Sequence, residues 1–401
     1  MLELPKLRLG LDVFPSGSRE RPGIVVRDPF RYAETALVIP TPLVPVLASL
    51  DGTHTRQDLL RRARARSVSL RDVDELVSVL EATGYLEGEA FETRRRDRHA
   101  RFRDSPIRAA EFAGSGYPES PAEIDQSFRA YREGLPPDRP RDRDLLAIAA
   151  PHLSPYGGPG GYGSAYRRLG PEHRDRTFVI LGTSHYGAPD RFGLTKKQWQ
   201  TPLGLTRADE AFVDALIAKA PASVELEDYC HAVEHSIEFQ VVFLQHAVAP
   251  DVKIVPILCG SFFCGADQAP ESRASVDAFI RALRQVSASR GDEVLYVLGI
   301  DLAHMGARYG DPLEAQAERG PMLEVRSRDH ARLDRAISGD PEGFFRLAHT
   351  YDDELKWCGT TPIYTFLRAA PEARGQILHY GQWNIDEQSV VTYAGLEFLG
   401  R

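Results

Sequence analysis

Four polar segments of this chain carry the residues best suited to chemistry, and each follows an apolar stretch or opens a helix. His152 ends one apolar stretch, His185 ends the next, and Asp301 and His304 follow a later one. Cys358 stands just before a segment with the features of a helix start. Imidazole, thiolate and carboxylate groups are common metal ligands and acid–base catalysts. These five residues are therefore the first candidates for a functional site.

Two imidazoles and one thiolate form an ordinary ligand set for iron, copper or zinc, in which the sulfur softens the site. A single histidine at a strand end more often only bonds to nearby backbone. His152, His185 and His304 all occupy the same position relative to their apolar stretches, which favours one shared metal or catalytic site. Cys358 would lie at a helix N-terminus, where the dipole lowers the pKa of a thiol.

A different chemistry is suggested by His231, Glu234 and His235, which spell the H-x-x-E-H motif of one class of zinc peptidase. In that motif two histidines bind zinc and the glutamate is the base. Residues 227–230 are a poor helix start, and a third ligand would have to come from elsewhere. A helix N-terminus at which Glu234 interacts favourably with the dipole is the alternative. A zinc hydrolase is the lesser functional hypothesis.

The glycine-rich segment 158–163 matches the G-x-G-x-x-G pattern of dinucleotide-binding proteins. Such a site also needs an acidic residue at the end of the next strand to bind the ribose. Here the next strand ends in Thr-Ser-His at 183–185, and Pro159 lies inside the glycine-rich segment. We expect this segment instead to let the backbone pass close to His152 and to shape a pocket.

The elements that must position these residues alternate between strands and helices from Asp144 onward. Apolar runs predict buried strands at 145–150, 178–181, 254–258 and 294–300, and helical spacing predicts helices at 209–219, 235–247 and 274–286. This alternation is typical of an α/β fold, a three-layer sandwich with a largely parallel central sheet. In such sheets ligands bind at the carboxyl ends of the strands, so the polar residues there would meet at one edge.

The N-terminal part is predicted to be a small domain over residues 1–90, followed by a linker or solvated helix over 91–106 and the α/β domain over 107–401. The small domain has a strand-like stretch and three helical stretches, the last capped by Ser69 and ended by Gly84. It resembles the PqqD-like winged-helix domains, which bind peptides or partner enzymes, through Asp28 to Tyr32, Leu50 to Gly52 and Gly84 to Leu86. A purely structural helical appendage is the alternative.

The composition excludes several classes of protein. The chain has 401 residues, 42 % hydrophobic and 26 % charged, and a net charge of 49 − 57 = −8, which argues against nucleic-acid binding. No apolar run reaches the roughly 18–20 residues of a membrane helix. Four cysteines are too few for a disulfide scaffold. We therefore expect a cytoplasmic protein with reduced thiols that binds neither nucleic acid nor membranes.

From Arg108 to its C-terminus the chain resembles the Memo family, known in prokaryotes as the B protein of the AmmeMemoRadiSam system. The resemblance is carried by ordered motifs: Ala113-Gly114-Ser115, Tyr117-Pro118, Ala150-Pro151-His152, Gly182-Thr183-Ser184-His185, Thr201-Pro202-Leu203, Glu234-His235-Ser236-Ile237-Glu238, Val255-Pro256-Ile257, Asp301 to Gly306, Cys358-Gly359 and Ser389 to Gly395. The chain departs from the family at Gly116, where Trp is usual, and at Tyr186, where His is usual. We expect these departures to alter the pocket and the substrate.

The resemblance implies a fold similar to that of the class III extradiol dioxygenases, which are non-haem iron enzymes. It also implies these site residues: metal ligands His152, His185 and Cys358, with His304 in the pocket and Asp301 and His235 nearby. Members of the family are associated with iron or copper redox chemistry and, in animals, with phosphopeptides. The dioxygenases complete their site with a carboxylate, so a cysteine in its place gives a softer centre, and ring cleavage does not follow from the resemblance.

Two functional hypotheses follow. In the first, Fe(II), or alternatively Cu or Zn, is held by the three implied ligands of a metal-dependent oxidoreductase whose small-molecule or peptide substrate is unknown. His304 would be its acid–base catalyst, because imidazole titrates near neutrality, with His235 close by. Asp301 or Glu234 would orient a metal ligand. In the second, the protein is a non-catalytic accessory protein or adaptor that binds a peptide or modified side chain for a radical-enzyme partner.

Overall fold

The computed structural model describes residues 5–400 apart from 17–19, 21, 56, 60, 62–67, 136–143, 265–267 and 350–353. Backbone contacts divide the chain into two compact units, Met1–Asp104 and Ser105–Arg401. Within the described ranges, every helix is too short or too polar to cross a membrane.

The first unit contains a three-stranded antiparallel sheet with the order β1-β2-β3 and several helices. Its elements are β1 (Asp12–Pro15), β2 (Gly23–Arg27), β3 (Leu37–Pro40), α1 (Val44–Leu47), α2 (Leu70–Thr83) and α3 (Glu89–Asp104). Helix α2 has the predicted ends. Ser69 and Asp72 cap each other's backbone at its start, and Gly84 ends it with a φ of 82°. Most of the second predicted helix lies outside the described residues.

Helix α3 occupies most of residues 91–106, for which the sequence predicts a linker or a solvated helix. None of its residues is fully buried. It is nevertheless attached to the first unit, because the Arg8 guanidinium lies 4.4 Å from the centroid of the Phe91 ring. The Tyr32 hydroxyl also lies 2.7 Å from Nε2 of His99. These contacts join the helix to the segments that precede it.

The second unit has the predicted α/β architecture. Its elements are, in chain order, β4 (Ile107–Arg108), α4 (Pro121–Ala130), β5 (Leu145–Ala150), α5 (Pro159–Tyr166), β6 (Thr177–Thr183), β7 (Phe192–Leu194), β8 (Gln198–Thr201), β9 (Gly204–Leu205), β10 (Arg207–Ala208), α6 (Glu210–Lys219), β11 (Val224–Leu226), α7 (Cys230–Val233), α8 (Glu238–Ala247), β12 (Lys253–Cys259), α9 (Ala274–Arg290), β13 (Val294–Gly299), β14 (His304–Gly306), α10 (Pro321–Ile337), α11 (Pro341–His349), α12 (Thr360–Ala369), β15 (Arg374–Asp386) and β16 (Ser389–Leu399).

The large sheet has the strand order β11-β7-β12-β6-β13-β5-β16-β14, with β10 beside β12 and β15 beside β16. Its centre, β12-β6-β13-β5, is parallel. Strand β16 runs antiparallel to β5 and forms a long hairpin with β15. The carboxyl ends of β5, β13 and β6 therefore lie side by side at one edge of the sheet.

Both faces of the central strands are covered, which explains why these strands are nearly continuous apolar runs. Alternate residues such as Val179 and Leu181 belong to a buried cluster that includes apolar residues of α6, α9 and α12. The residues between them, such as Ile180, are equally buried on the opposite face. Gly299 of β13 lies on that face against Gln240 of α8 and so close to the Ser236 carbonyl that a Cβ atom would not fit. The layers are thus helix, sheet, helix.

Candidate metal centre

The chain brings its candidate residues together because three neighbouring parallel strands end beside one another. His152 lies two residues beyond β5, and His185 lies two residues beyond β6. Asp301 lies two residues beyond β13, which pairs with both of those strands. Cys358 arrives from a later segment just before α12, and its carbonyl accepts a hydrogen bond of 2.9 Å from the Thr183 hydroxyl of β6.

The atoms of His152, His185 and Cys358 that could bind a metal all lie within 4.8 Å of one another. Sγ of Cys358 is 3.3 Å from Nε2 of His152. The rings of His152 and His185 are nearly perpendicular, with centroids 5.1 Å apart. The convergence expected from the strand ends and the helix start is therefore present, and the role of these side chains as ligands stays a prediction.

Each imidazole is oriented by an acceptor on its Nδ1 side. Nδ1 of His152 donates to the backbone carbonyl of Gly299 at 2.9 Å. Nδ1 of His185 donates to the Glu234 carboxylate at 3.0 Å. In the neutral form of each ring these hydrogen bonds place the proton on Nδ1, so Nε2 becomes free to bind a metal once its own proton leaves. Metal-bound histidines show the same pattern, because an acceptor on the far nitrogen fixes the ring and raises its basicity.

Glu234 is fully buried and organises the loop that follows α7. Its carboxylate accepts backbone N–H groups from His185 at 3.0 Å, His235 at 2.8 Å and Ser236 at 3.2 Å. Burial alone would raise its pKa, but His185, through charge and hydrogen bonding, together with His235 holds that pKa well below the usual range. Glu234 is therefore an anion that orients His185.

Asp301 plays a similar part for His152. Its Oδ1 accepts the backbone N–H groups of His152 and Leu153, at 2.9 and 3.0 Å. Its Oδ2 lies 3.5 Å from Nε2 of His152. Asp301, His304 and Cys358 form a second group whose potential ligand atoms lie within 4.8 Å of one another. Asp301 thus borders the metal-ligand cluster and fixes the backbone of one of its members.

His304 lies on the other side of Cys358. Its Nδ1 is within hydrogen-bond distance of two backbone carbonyls, those of Leu302 at 3.1 Å and Lys356 at 3.2 Å. Both can only accept, so Nδ1 carries the proton and Nε2 is available as a base. The Tyr309 ring meets the His304 ring edge to face, with centroids 5.0 Å apart. His304 is therefore an oriented imidazole beside the cluster.

His235 lies against the cluster but differs in charge. Its ring stacks on that of His185 with centroids 5.2 Å apart, and it meets the Phe112 ring edge to face at 5.7 Å. Burial, together with the neighbouring imidazoles of His185 and His152, lowers its pKa to about 3 despite the opposing charge of Glu234. His235 is therefore neutral at physiological pH.

The pKa of the thiol in the cluster and the pKa values of its two imidazoles are shifted in opposite directions. Burial opposes ionisation of the Cys358 thiol, but the charges of His152 and His304 and hydrogen bonds from His152 and His185 outweigh it and lower its pKa to about 5. Burial likewise opposes the charged form of His152, yet Asp301 and Cys358 raise its pKa to about 9. The pKa of His185 is also raised well above its usual value, chiefly by Glu234 against the effect of burial. A thiolate beside two imidazoles fits a divalent iron, copper or zinc ion.

The backbone at the H-x-x-E-H motif is not the continuous helix that the zinc-peptidase prediction requires. Helix α7 ends at Val233, and Glu234 is extended, with φ −85° and ψ 136°. His231 instead donates from Nε2 to the carbonyl of Gly193 at 3.1 Å and lies edge to face with Trp199. It is absent from every potential metal-ligand group among the described residues. The zinc hydrolase hypothesis therefore loses one of its two histidine ligands.

Several residues that shape the site carry no motif that sequence reasoning could detect. Gly299, Leu302 and Lys356 act through backbone carbonyls, which any residue type provides. Phe112 arrives from the segment before α4, which is anchored because Glu238 accepts its backbone N–H at 2.9 Å. The glycine-rich segment opens α5, and Gly161 lies so close to Pro151 that a Cβ atom would not fit. The glycine-rich segment thus passes close to the residue that precedes His152, as expected.

Comparison with known proteins gives the family. The family model described as "Memo-like protein" matches residues 108–397. A MEMO1 family protein of Aquifex aeolicus is 24 % identical over 401 residues, covering 98 % of this chain and 99 % of the relative. This alignment therefore includes the first unit. MEMO1 family protein PF1638 of Pyrococcus furiosus is 30 % identical over 286 residues, covering 68 % of this chain and 91 % of the relative. MEMO1 family protein TTHA0924 of Thermus thermophilus is 28 % identical over 313 residues, covering 78 % of this chain and 87 % of the relative. The chain therefore belongs to the Memo-like protein family.

Proposed function

We propose that this chain binds one transition-metal ion through His152, His185 and Cys358 and acts as a redox enzyme on a small molecule or peptide. The observation that supports it most is the convergence of three ligand atoms within 4.8 Å, from segments far apart in the sequence. Fe(II) is the first choice of metal, with Cu and Zn as alternatives, because imidazole and thiolate suit all three. A cytoplasmic location fits this proposal, since cytosolic reductants keep thiols reduced.

A bound metal would supply Lewis acidity and electrons, as in the class III extradiol dioxygenases that the family resembles. The chain's own residues supply the rest. Glu234 holds His185, and Asp301 holds the backbone of His152, so the two imidazoles keep their directions. His304 accepts or returns a proton at Nε2, because its Nδ1 is occupied by backbone carbonyls.

Metal content tests the proposal directly. Protein purified without oxygen and loaded with Fe(II) should hold about one metal per chain, as expected for a single three-ligand site. His152→Ala, His185→Ala and Cys358→Ser should each lose most of it. Cys264→Ser is the matched control for the thiol, because Cys264 is a half-buried cysteine that belongs to none of the potential ligand groups of the described residues. Full metal content in the three ligand variants would refute the proposed site.

A second candidate function is that of an accessory protein for a radical-enzyme partner. It is favoured by the first unit, which is compact by itself and is covered by the alignment with the Aquifex relative. An adaptor would bind its partner equally well with and without the metal site, whereas an enzyme needs the site for turnover. Co-purification of the full chain and of Cys358→Ser with the radical enzyme separates the two. Loss of the partner in the variant would contradict the adaptor function.

A further inference from the structure

The residue just before Cys358 is anchored to a buried carboxylate that none of the sequence motifs includes. Asp329 of α10 is fully buried, and its Oδ1 accepts a hydrogen bond of 2.7 Å from the indole Nε1 of Trp357. Its Oδ2 accepts from the hydroxyls of Tyr380 at 2.8 Å and Thr392 at 2.7 Å. One carboxylate therefore ties helix α10 to the segment before Cys358 and to both strands of the β15–β16 hairpin.

Thr392 extends this link to the segment that carries His304. Because the Thr392 hydroxyl donates its hydrogen to Asp329, its oxygen is oriented to accept the backbone N–H of Ala303 at 2.8 Å. The backbone N–H of Thr392 also donates to the Ala303 carbonyl, and its carbonyl accepts from Leu302, both at 2.9 Å. Asp329 thus holds the residue before Cys358 directly and the residue before His304 through one hydroxyl.

The indole of Trp357 is fixed on its face as well as at its edge. The Arg332 guanidinium, one turn along α10 from Asp329, lies 5.3 Å from the centroid of the Trp357 ring. Arg332 is itself held, because its Nε and Nη2 donate to the carbonyl of Leu347 at 3.1 and 3.0 Å. Trp357 cannot turn without losing both contacts, and the backbone of Cys358 would have to move with it.

We propose that Asp329 is a positioning residue of the metal site. It holds Trp357 and Thr392 so that Sγ of Cys358 and Nε2 of His304 face the same space. Asp329 touches neither of those atoms and acts only through its two hydrogen-bonded partners. This inference rests on the proposed metal-binding function, and it adds a group outside the site on which the geometry of that site depends.

Asp329→Asn is the sharpest substitution, because it keeps the shape of the side chain and replaces one acceptor oxygen with a donor. Trp357 Nε1 can only donate, so the amide oxygen has to face the indole and the amide nitrogen has to face the hydroxyls. Thr392 then accepts from the amide, and its hydroxyl hydrogen loses its partner. Trp357→Phe removes the other end of the same hydrogen bond and keeps an aromatic ring, so it serves if the first variant folds poorly.

Asp209→Asn is the matched control. Asp209 is also a buried carboxylate of the second unit, and it accepts from the Thr177 hydroxyl at 2.8 Å and the Phe212 backbone N–H at 3.0 Å. Thr177 is the first residue of β6, whereas His185 follows the last. The control therefore makes the same chemical exchange at the opposite end of a strand.

The probe is Co(II), a spectroscopic stand-in for Fe(II) or Zn(II), added without oxygen to the full chain. We expect Asp329→Asn and Trp357→Phe to bind Co(II) about tenfold more weakly, as for other groups that orient metal ligands, with a changed thiolate-to-cobalt absorption. The double variant should lose little more than either single one, because both break the same hydrogen bond. The alkylation rate of Cys358 in metal-free protein, followed by peptide mass, should also change in both variants and stay at the wild-type value in Asp209→Asn.

The outcomes separate this inference from the proposed function. If wild type binds Co(II) with thiolate absorption and both variants match it in affinity, absorption and alkylation, the positioning role is overturned and the metal site stands. If wild type does not bind Co(II), the proposed function fails. In that case an unchanged alkylation rate of Cys358 in both variants would also overturn the view that Asp329 positions Cys358. Equal losses in Asp209→Asn would show general destabilisation and would also overturn the positioning role.

Discussion

Replacing Glu234 by Gln should weaken metal binding with little change in the shape of the side chain. The expected size of that loss follows from the hydrogen bonds of Glu234. The carboxylate receives four N–H groups: Nδ1 and the backbone of His185, and the backbones of His235 and Ser236. A glutamine side chain offers one acceptor oxygen and one donor nitrogen. In Glu234→Gln the amide nitrogen must therefore face at least one buried N–H group that has no other acceptor.

Two quantities should change. A buried donor left without a partner costs about 1–3 kcal/mol of stability, which thermal or urea unfolding of metal-free protein measures. Loss of the anion behind a histidine ligand typically lowers metal affinity by about 10–100-fold, or about 1.4–2.8 kcal/mol. The affinity is measured without oxygen by competition between the protein and a chelator for Fe(II) or Co(II).

Glu397→Gln supplies the control for this experiment. Glu397 is a buried carboxylate of β16 that pairs with Arg168, outside the metal-ligand groups of the described residues. The Glu397→Gln variant should be less stable than wild type and should keep the metal affinity of wild type. Unchanged affinity in Glu234→Gln, or an equal loss in the control, would refute the view that Glu234 acts on the metal through His185.

Metal affinity should rise from about pH 6 to about pH 8. The raised pKa values of His152 and His185 favour protonated rings in the metal-free protein, and a metal must displace those protons. Chelator competition that gives the same affinity across this pH range would contradict the prediction. His304→Gln should keep the metal content of wild type, since His304 lies outside the three-ligand group, and reduced content would place it among the ligands. Glu238→Gln should destabilise the second unit by about 3–5 kcal/mol in urea unfolding, because it leaves the buried Arg108 without its counter-ion, while metal content of the folded protein stays unchanged.

The edge of the sheet that carries the site could be predicted from the sequence because a doubly covered parallel strand is recognisable by itself. Its residues are apolar without alternation, and the first polar residues after it mark its carboxyl end. His152 and His185 each follow such a run. Strand β13 lies between β5 and β6, the two strands that precede these histidines, and pairs with both. Cys358 lies in a loop, and only its place before a helix and the resemblance point to it.

The orientation of His152 and His304 could not be predicted, because it depends on backbone carbonyls, whereas that of His185 depends on the Glu234 carboxylate. Gly299 fixes His152, and Leu302 and Lys356 fix His304, all through atoms that every residue possesses. Lys356 adopts a φ of 52°, which is uncommon for a residue with a side chain. Its ammonium group is tied to Asp311 at 2.7 Å, and that tertiary contact helps to hold the turn. Such contacts exist only after folding.

The zinc-peptidase motif shows why the same residue pattern can give different chemistry. H-x-x-E-H binds zinc only if the backbone is helical, since helical spacing brings its two histidines to one face. Here the buried carboxylate of Glu234 accepts the N–H groups of His235 and Ser236, and Glu234 itself is extended, so the helix ends at Val233. His235 then joins His185, while His231 turns away. The glutamate that the motif assigns as a base instead ends the helix and orients His185, from the loop after β6, at the proposed site.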